Sequence, residues 1–111
     1  MKLLHKVLAP LASLEVQNRY IVNGTKDNYL LPEDLLNSAI NVLLEQQALK
    51  FEETETLGEL KEAIRCCNIP DNLSGSDVVF RYKPWAKVRE VSQKYLLEIG
   101  FDLQTWEKHE L

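Results

Sequence analysis

The chain has 111 residues, 45% of them hydrophobic and 27% charged, with a formal net charge of −4. That length fits one domain, 1–111, with no room for two cores, and the balance argues against intrinsic disorder. The acidic sum speaks against a general binder of nucleic acid or anionic membranes, while leaving room for a local basic patch.

The opening, Met1 to Ser13, has the outline of a secretory leader, with Lys2 ahead of leucines and a small-residue patch. His5 and Lys6 interrupt its apolar stretch, so secretion is not expected. No apolar run approaches the roughly 18–20 residues that span a bilayer. Cys66 and Cys67 are the only cysteines and are adjacent. A bond between neighbours falls far from the usual Cα separation of about 5.5 Å, so reduced thiols and a cytoplasmic location are expected. The sequons Asn23-Gly24-Thr25 and Asn72-Leu73-Ser74 then carry no weight.

Leu3, Leu4, Val7, Leu8, Leu11 and Leu14 form one helical stripe, which Pro10 should kink or divide into two short helices. Two readings compete for residues 19–30. Asn23-Gly24 suits a hairpin turn, and Gly24 equally suits the left-handed residue that closes a helix. The helix stop is favoured because Thr25-Lys26-Asp27-Asn28 is poor in strand formers. Pro32, Glu33 and Asp34 suit a helix start. Leu35, Leu36, Ala39, Ile40, Leu43, Leu44, Gln47, Ala48 and Phe51 follow at helical spacing and predict the central core helix.

Thr56-Leu57-Gly58-Glu59 matches a capping box, with Leu57, Leu60, Ile64 and Cys67 on the buried face and Pro70 as the stop. Asp71 to Asp77 is expected to be a polar loop, and Val78, Val79, Phe80 and Tyr82 a short strand in need of a partner. Pro84 should open a long helix with Trp85, Val88, Val91, Tyr95, Leu96 and Ile99 inward, closed by Gly100. Phe101, Leu103 and Trp106 end the chain with a short amphipathic segment. The expected fold is mainly α, a compact single-domain bundle of four or five amphipathic helices, with a short hairpin or strand as the open element.

The motifs of catalysis and cofactor binding are missing from the sequence. There is no Gly-x-Ser-x-Gly elbow, no Cys-x-x-Cys pair and no glycine-rich phosphate loop. His5 and His109 are the only histidines, and Cys67 falls on an apolar stripe. Metal-ligand spacing is missing, and the Asp71–Asp77 stretch lacks the acid spacing of a calcium loop. No cofactor, metal, membrane or small-molecule substrate is expected.

Two charge features remain. Arg81, Lys83, Lys87, Arg89 and Lys94, against Asp77 and Glu90, are interleaved with Tyr82 and Trp85, a mixture that can hold phosphates and stack bases. Trp85 is in core register, however, and the Ile69–Tyr82 connection exceeds the turn of a helix-turn-helix pair. The stronger feature is acidic: Glu45, Glu52, Glu53, Glu55, Glu59 and Glu62 against Lys50 and Lys61, followed by Glu98, Asp102, Glu107 and Glu110 against Lys108. An acidic surface beside apolar helices suits a basic protein partner. The expectation is a non-enzymatic cytoplasmic protein-binding module, of the immunity or antitoxin kind, that neutralises a basic toxin or nuclease through those six glutamates. The alternatives are a small nucleic-acid-binding regulator using 81–94 and, last, an enzyme using Cys66.

Overall fold

The first helix, α1 (Leu3–Ala12), runs through Pro10 and buries Leu4, Leu8 and Leu11. The donor that Pro10 lacks falls in the last turn, so the helix survives it but ends soon after. Ser13 takes extended backbone (φ −92, ψ 106), and its hydroxyl accepts from the Val16 N–H, starting α2 (Leu14–Gln17). The division into two short helices therefore occurs, with Leu14 turned outward at 41% exposed. The computed structural model describes residues 3–45 and 54–110 (backbone only at Glu45).

After α2 the chain widens into a π turn, Asn18–Val22. The helix stops there as expected, but Gly24 is not left-handed; among the described residues only Gly100 has a positive φ. Gly24 is needed for space instead, because a Cβ would collide with the Tyr20 carbonyl oxygen and stand 2.8 Å from Tyr29 Cβ. Thr25 and Asn28 exchange backbone hydrogen bonds of 3.1 and 3.2 Å, so the hairpin alternative shrinks to one tight turn.

Pro32 opens α3 (Pro32–Ile40), with Glu33 and Asp34 in its first turn and Leu35, Leu36 and Ala39 buried. A second π turn, Asn41–Glu45, continues it; the rest of the expected helix lies outside the described residues. Thr54, not Thr56, caps α4 (Glu55–Cys66), accepting from the Leu57 N–H at 3.2 Å. The predicted capping box is therefore not formed: the N-cap lies two residues earlier, and the residue three beyond it is Leu57, which has no acceptor to return to the cap. Thr56 is inside the helix, buried, and donates to Glu98 Oε1 at 2.6 Å. α4 ends at Cys66, ahead of Pro70.

The expected strand at 78–82 is helical. Ser74 accepts from the Asp77 N–H at 3.1 Å and starts α5 (Gly75–Arg81), burying Val78 and Val79. The polar stretch read as a loop carries a helix-start signal, a Ser followed three residues later by an acid. It also removes an argument: Tyr82 alone separates α5 from α6 (Lys83–Glu98), so no long loop precedes the basic helix. α6 has Pro84 in its first turn and buries Trp85, Val88, Val91, Tyr95 and Leu96, with Ile99 half-buried. Its end is a Schellman turn: Gly100 (φ 79) donates to the Leu97 carbonyl at 3.1 Å and Phe101 to the Leu96 carbonyl at 2.9 Å. α7 (Leu103–Glu110) follows, started by Asp102, whose carboxylate accepts from the Thr105 N–H at 3.1 Å.

Mainly α holds, but four or five helices is too few: the described residues form seven. The centre is also elsewhere than expected. α6 packs most extensively, against both α1 and α4, whereas α3 packs chiefly on α1. The Cα radius of gyration, 13.4 Å, matches the roughly 13 Å of a compact domain this size.

A polar tie sits inside this apolar core. Gln17 is fully buried; its Nε2 donates to the carbonyls of Pro10 (3.0 Å) and Leu11 (2.6 Å). Its Oε1 accepts from Trp85 Nε1 (3.0 Å) and from Arg89 (3.1 Å). One amide therefore satisfies the end of α1 and joins it to α6. Gln93 Nε2 adds a 2.8 Å bond to the Ala12 carbonyl, and the Ser13 hydroxyl donates to Glu107 at 3.0 Å.

Gln17→Ala should cost about 3–5 kcal/mol, since it strands several buried groups at about 1–3 kcal/mol each. Leu43→Ala, a buried truncation, should cost about 2–5 kcal/mol, and Leu44→Ala, half-buried, less. Ser92→Ala should act the other way. Ser92 Oγ is buried without a hydrogen-bond partner, and Ala is the better helix former, so a gain of about 0.5–1 kcal/mol is expected. Urea melts measure all four.

Candidate partner-binding surface

Glu55, Glu59 and Glu62 recur at steps of four and three, which places them along one side of α4. All three are exposed, while Leu57, Leu60 and Ile64 hold the opposite side of the helix in the core. Burial thus fixes the orientation of the acidic side. Of the other three glutamates, Glu52 and Glu53 lie outside the described residues, as does the side chain of Glu45.

Local cations moderate the stripe. Glu59 meets Lys94 of α6 at 3.8 Å, and Glu62 meets Arg65 at 3.7 Å, with every partner about half exposed or more. Such surface pairs contribute little to stability and are screened by salt. Glu55 makes no ion pair among the described residues. A shallow depression at the other end of α4 is lined by Glu59, Glu62, Ala63, Cys66 and Lys87, so one lysine stands among the acids there.

The basic segment divides. Trp85 is 1% exposed, as its register predicted. Arg89 turns inward, donating to Gln17 and, at 3.0 Å, to the Val79 carbonyl; burial pulls its guanidinium below the usual arginine range, with Glu90 opposing. Arg81 pairs with Asp77 at 3.7 Å within α5. Lys83 and Lys87 stay exposed. Two of the residues that suggested a base-stacking surface therefore serve the interior.

Neither thiol is activated. Cys66 is exposed, and its Sγ donates to Glu62 Oε1 at 3.5 Å; that bond chiefly, then desolvation and the Glu62 charge, raises its pKa. Burial alone raises Cys67 to about 11. A low-pKa thiol needs an electropositive setting, and Cys66 has the reverse. Among the described residues no group of three or more His, Cys, Asp or Glu is placed to hold a metal ion, and no helix is long and apolar enough to cross a membrane.

The C-terminal acids form a second cluster that the sequence shows less plainly. Glu98 accepts from Thr56 and, at 3.3 Å, from Thr54, tying the start of α4 to the end of α6. Asp102 accepts from the Thr105 hydroxyl at 2.7 Å and its N–H at 3.1 Å, and these bonds hold its carboxyl below the usual range. Leu97 stands beside Glu98 at 77% exposed. Helical period places Leu97 outside the inward set, so its exposure is legible in the sequence but its surroundings are not.

With both thiols protonated at neutral pH, iodoacetamide should modify native Cys66 slowly and Cys67 more slowly still, as read by mass spectrometry. Glu62→Gln removes the acceptor charge and should speed modification of Cys66. Fast labelling of the wild type at pH 7 would contradict the electrostatic account.

Comparison with known protein families, curated proteins and solved structures found no match to this chain.

Proposed function

We propose that this protein is a non-enzymatic binding module that engages a basic protein partner, of the kind by which an immunity or antitoxin protein neutralises a toxin or nuclease. The observation that carries the reading is the exposed line of Glu55, Glu59 and Glu62 on α4, oriented by the buried opposite side of the same helix. A rigid row of carboxylates is complementary to a surface rich in lysine and arginine. Such complementarity acts first on encounter, raising the association rate and selecting the partner's sign. Lys94 and Arg65 lower this field without cancelling it, because they meet Glu59 and Glu62 while Glu55 makes no ion pair among the described residues.

The nucleic-acid reading has the weaker support, since Trp85 and Arg89 are committed to the Gln17 tie.

The test begins with capture of the partner from the native host by tagged protein, followed by stopped-flow kinetics at two ionic strengths. Glu55→Lys combined with Glu62→Lys should slow association about ten-fold at low salt. The effect should be smaller at high salt, where screening shortens to a few Å. Both residues are exposed, so the urea midpoint should hardly move. A protein partner whose binding ignores charge reversal and salt removes α4 as the site. Recovery of nucleic acid transfers the assignment to the basic helix.

A further inference from the structure

The end of α6, the Gly100 turn and α7 enclose an open groove of about 640 Å³, lined by Leu96, Leu97, Phe101 and Leu103 with Asp102 and Glu107. Gln93, Gly100 and Gln104 complete it. We propose that this groove receives an amphipathic helix of the basic partner, its apolar face on Leu97, Phe101 and Leu103 and its flanking Lys or Arg side chains on Asp102 and Glu107. The inference rests on the protein-binding reading and adds an anchoring surface to it.

Three observations support that occupant. Leu97 is the most exposed large hydrophobic residue among those described, at 77%. Its backbone is nonetheless held in place: its carbonyl accepts from Gly100, and the neighbouring Leu96 is 1% exposed in the core. An exposed leucine on a fixed backbone, beside half-buried Phe101 and Leu103, offers an apolar contact surface that needs little backbone ordering on binding.

The second observation is charge. The groove's lining holds two carboxylates and no cation, while Lys108, next to Glu107, is near enough to Asp102 to favour its charge and offsets part of the rim. Both are fixed in place, Asp102 by its bonds to Thr105 and Glu107 by the 3.0 Å bond from Ser13. Asp102 keeps its charge at neutral pH, because those bonds lower its pKa. An apolar floor with an acidic rim selects an apolar helix face bordered by bases, the helix-in-groove mode of recognition. A second copy seated symmetrically on the same groove would set these carboxylates against their own kind, which charge disfavours.

The third is position. The Thr54 and Thr56 bonds to Glu98 bring the start of α4 to the end of α6. Glu55 and Leu97 therefore belong to the same end of that helix pair. Steering acids and an apolar anchor close together form the usual plan of an interface, a polar rim around a desolvated centre.

The probe is a synthetic helical peptide with a leucine face flanked by lysines, and its control has glutamates in place of the lysines. Each is titrated into the isotope-labelled full chain and followed by amide chemical shifts. The lysine peptide should bind, shift residues around 93–107 and lose affinity at high salt; the glutamate peptide should bind at least ten-fold more weakly. Leu97→Asp should reduce binding at least ten-fold with an unchanged urea midpoint. Phe80→Asp, which alters another exposed apolar residue, should bind as wild type. Equal binding of the two peptides overturns the proposal. So does dimerisation of the unliganded chain that Leu97→Asp abolishes, since the occupant is then a second copy. Binding that shifts only the α4 glutamates and ignores Leu97→Asp overturns the groove but leaves the protein-binding reading intact. Loss of that reading shows separately, in the capture experiment on the native partner.

Discussion

The geometry of this protein depends on how the end of α1 is satisfied. Pro10 and the break at Ser13 leave carbonyls of the last turn without the partners a continuing helix would supply. They are interior, so water is a poor substitute. Gln17 returns over the break and donates to two of them, and Gln93 takes the Ala12 carbonyl. The acceptor side of Gln17 then holds Trp85 and Arg89. Because the same amide must reach both sets, α6 can sit against α1 in one register only. α4 takes its place from α6 in turn, through packing and through the bonds from Thr54 and Thr56 to Glu98.

This tie also explains why the basic segment and the acidic one differ in use. α6 carries its charges against its own dipole: no acid lies in its first turn and no base in its last. Bases at the start of a helix and an acid at its end are electrostatically unfavourable placements. Arg89, in mid-helix, has an internal reason for its place, since its guanidinium is a donor to the tie. Glu98 has one too, accepting from two threonines. Lys83 and Lys87 make no hydrogen bond or ion pair of that kind among the described residues, and they are the residues on which a second surface would have to stand. The acids of α4, by contrast, occupy the outer side of a helix whose inner side is filled, and Glu55 lies in the first turn, where the dipole favours it.

What the sequence made legible follows from locality. Trp85, Val88, Val91, Tyr95 and Leu96 could be assigned inward from period alone, and Gly100 as the stop, because helix register and a left-handed cap are local properties. The Ser74 start is hard to see in the sequence because Val78, Val79 and Phe80 are strong strand formers, and their local β preference competes with a cap followed by an acid. The Thr56 box fails because Thr54 offers the same hydroxyl two residues earlier, and the Thr56 hydroxyl is instead taken by Glu98, 42 residues away. Gln17 was invisible for the same reason. Nothing in its neighbourhood distinguishes a buried amide with four partners from a solvated one. The acidic stripe is legible as composition, yet the pairing of Glu59 with Lys94 belongs to tertiary structure.

Leu97 joins the two levels. Period places it off the inward stripe, next to Leu96, where a polar residue would be ordinary, and a single exposed leucine is itself unremarkable on a protein surface. Its surroundings change its meaning. The Schellman turn fixes the backbone on one side, and the Phe101 and Leu103 side chains extend the apolar surface across the turn. The acids that border it are held by hydrogen bonds that also build the fold: Asp102 starts α7, and Glu107 meets Ser13 at the α1–α2 break. The rim is therefore preorganised by the interactions that position the helices, and a partner would not have to order it on binding. Asp102 and Glu107 are held by bonds that also place the helices, which is the property a surface needs if charge is to select a partner and an apolar contact is to retain it.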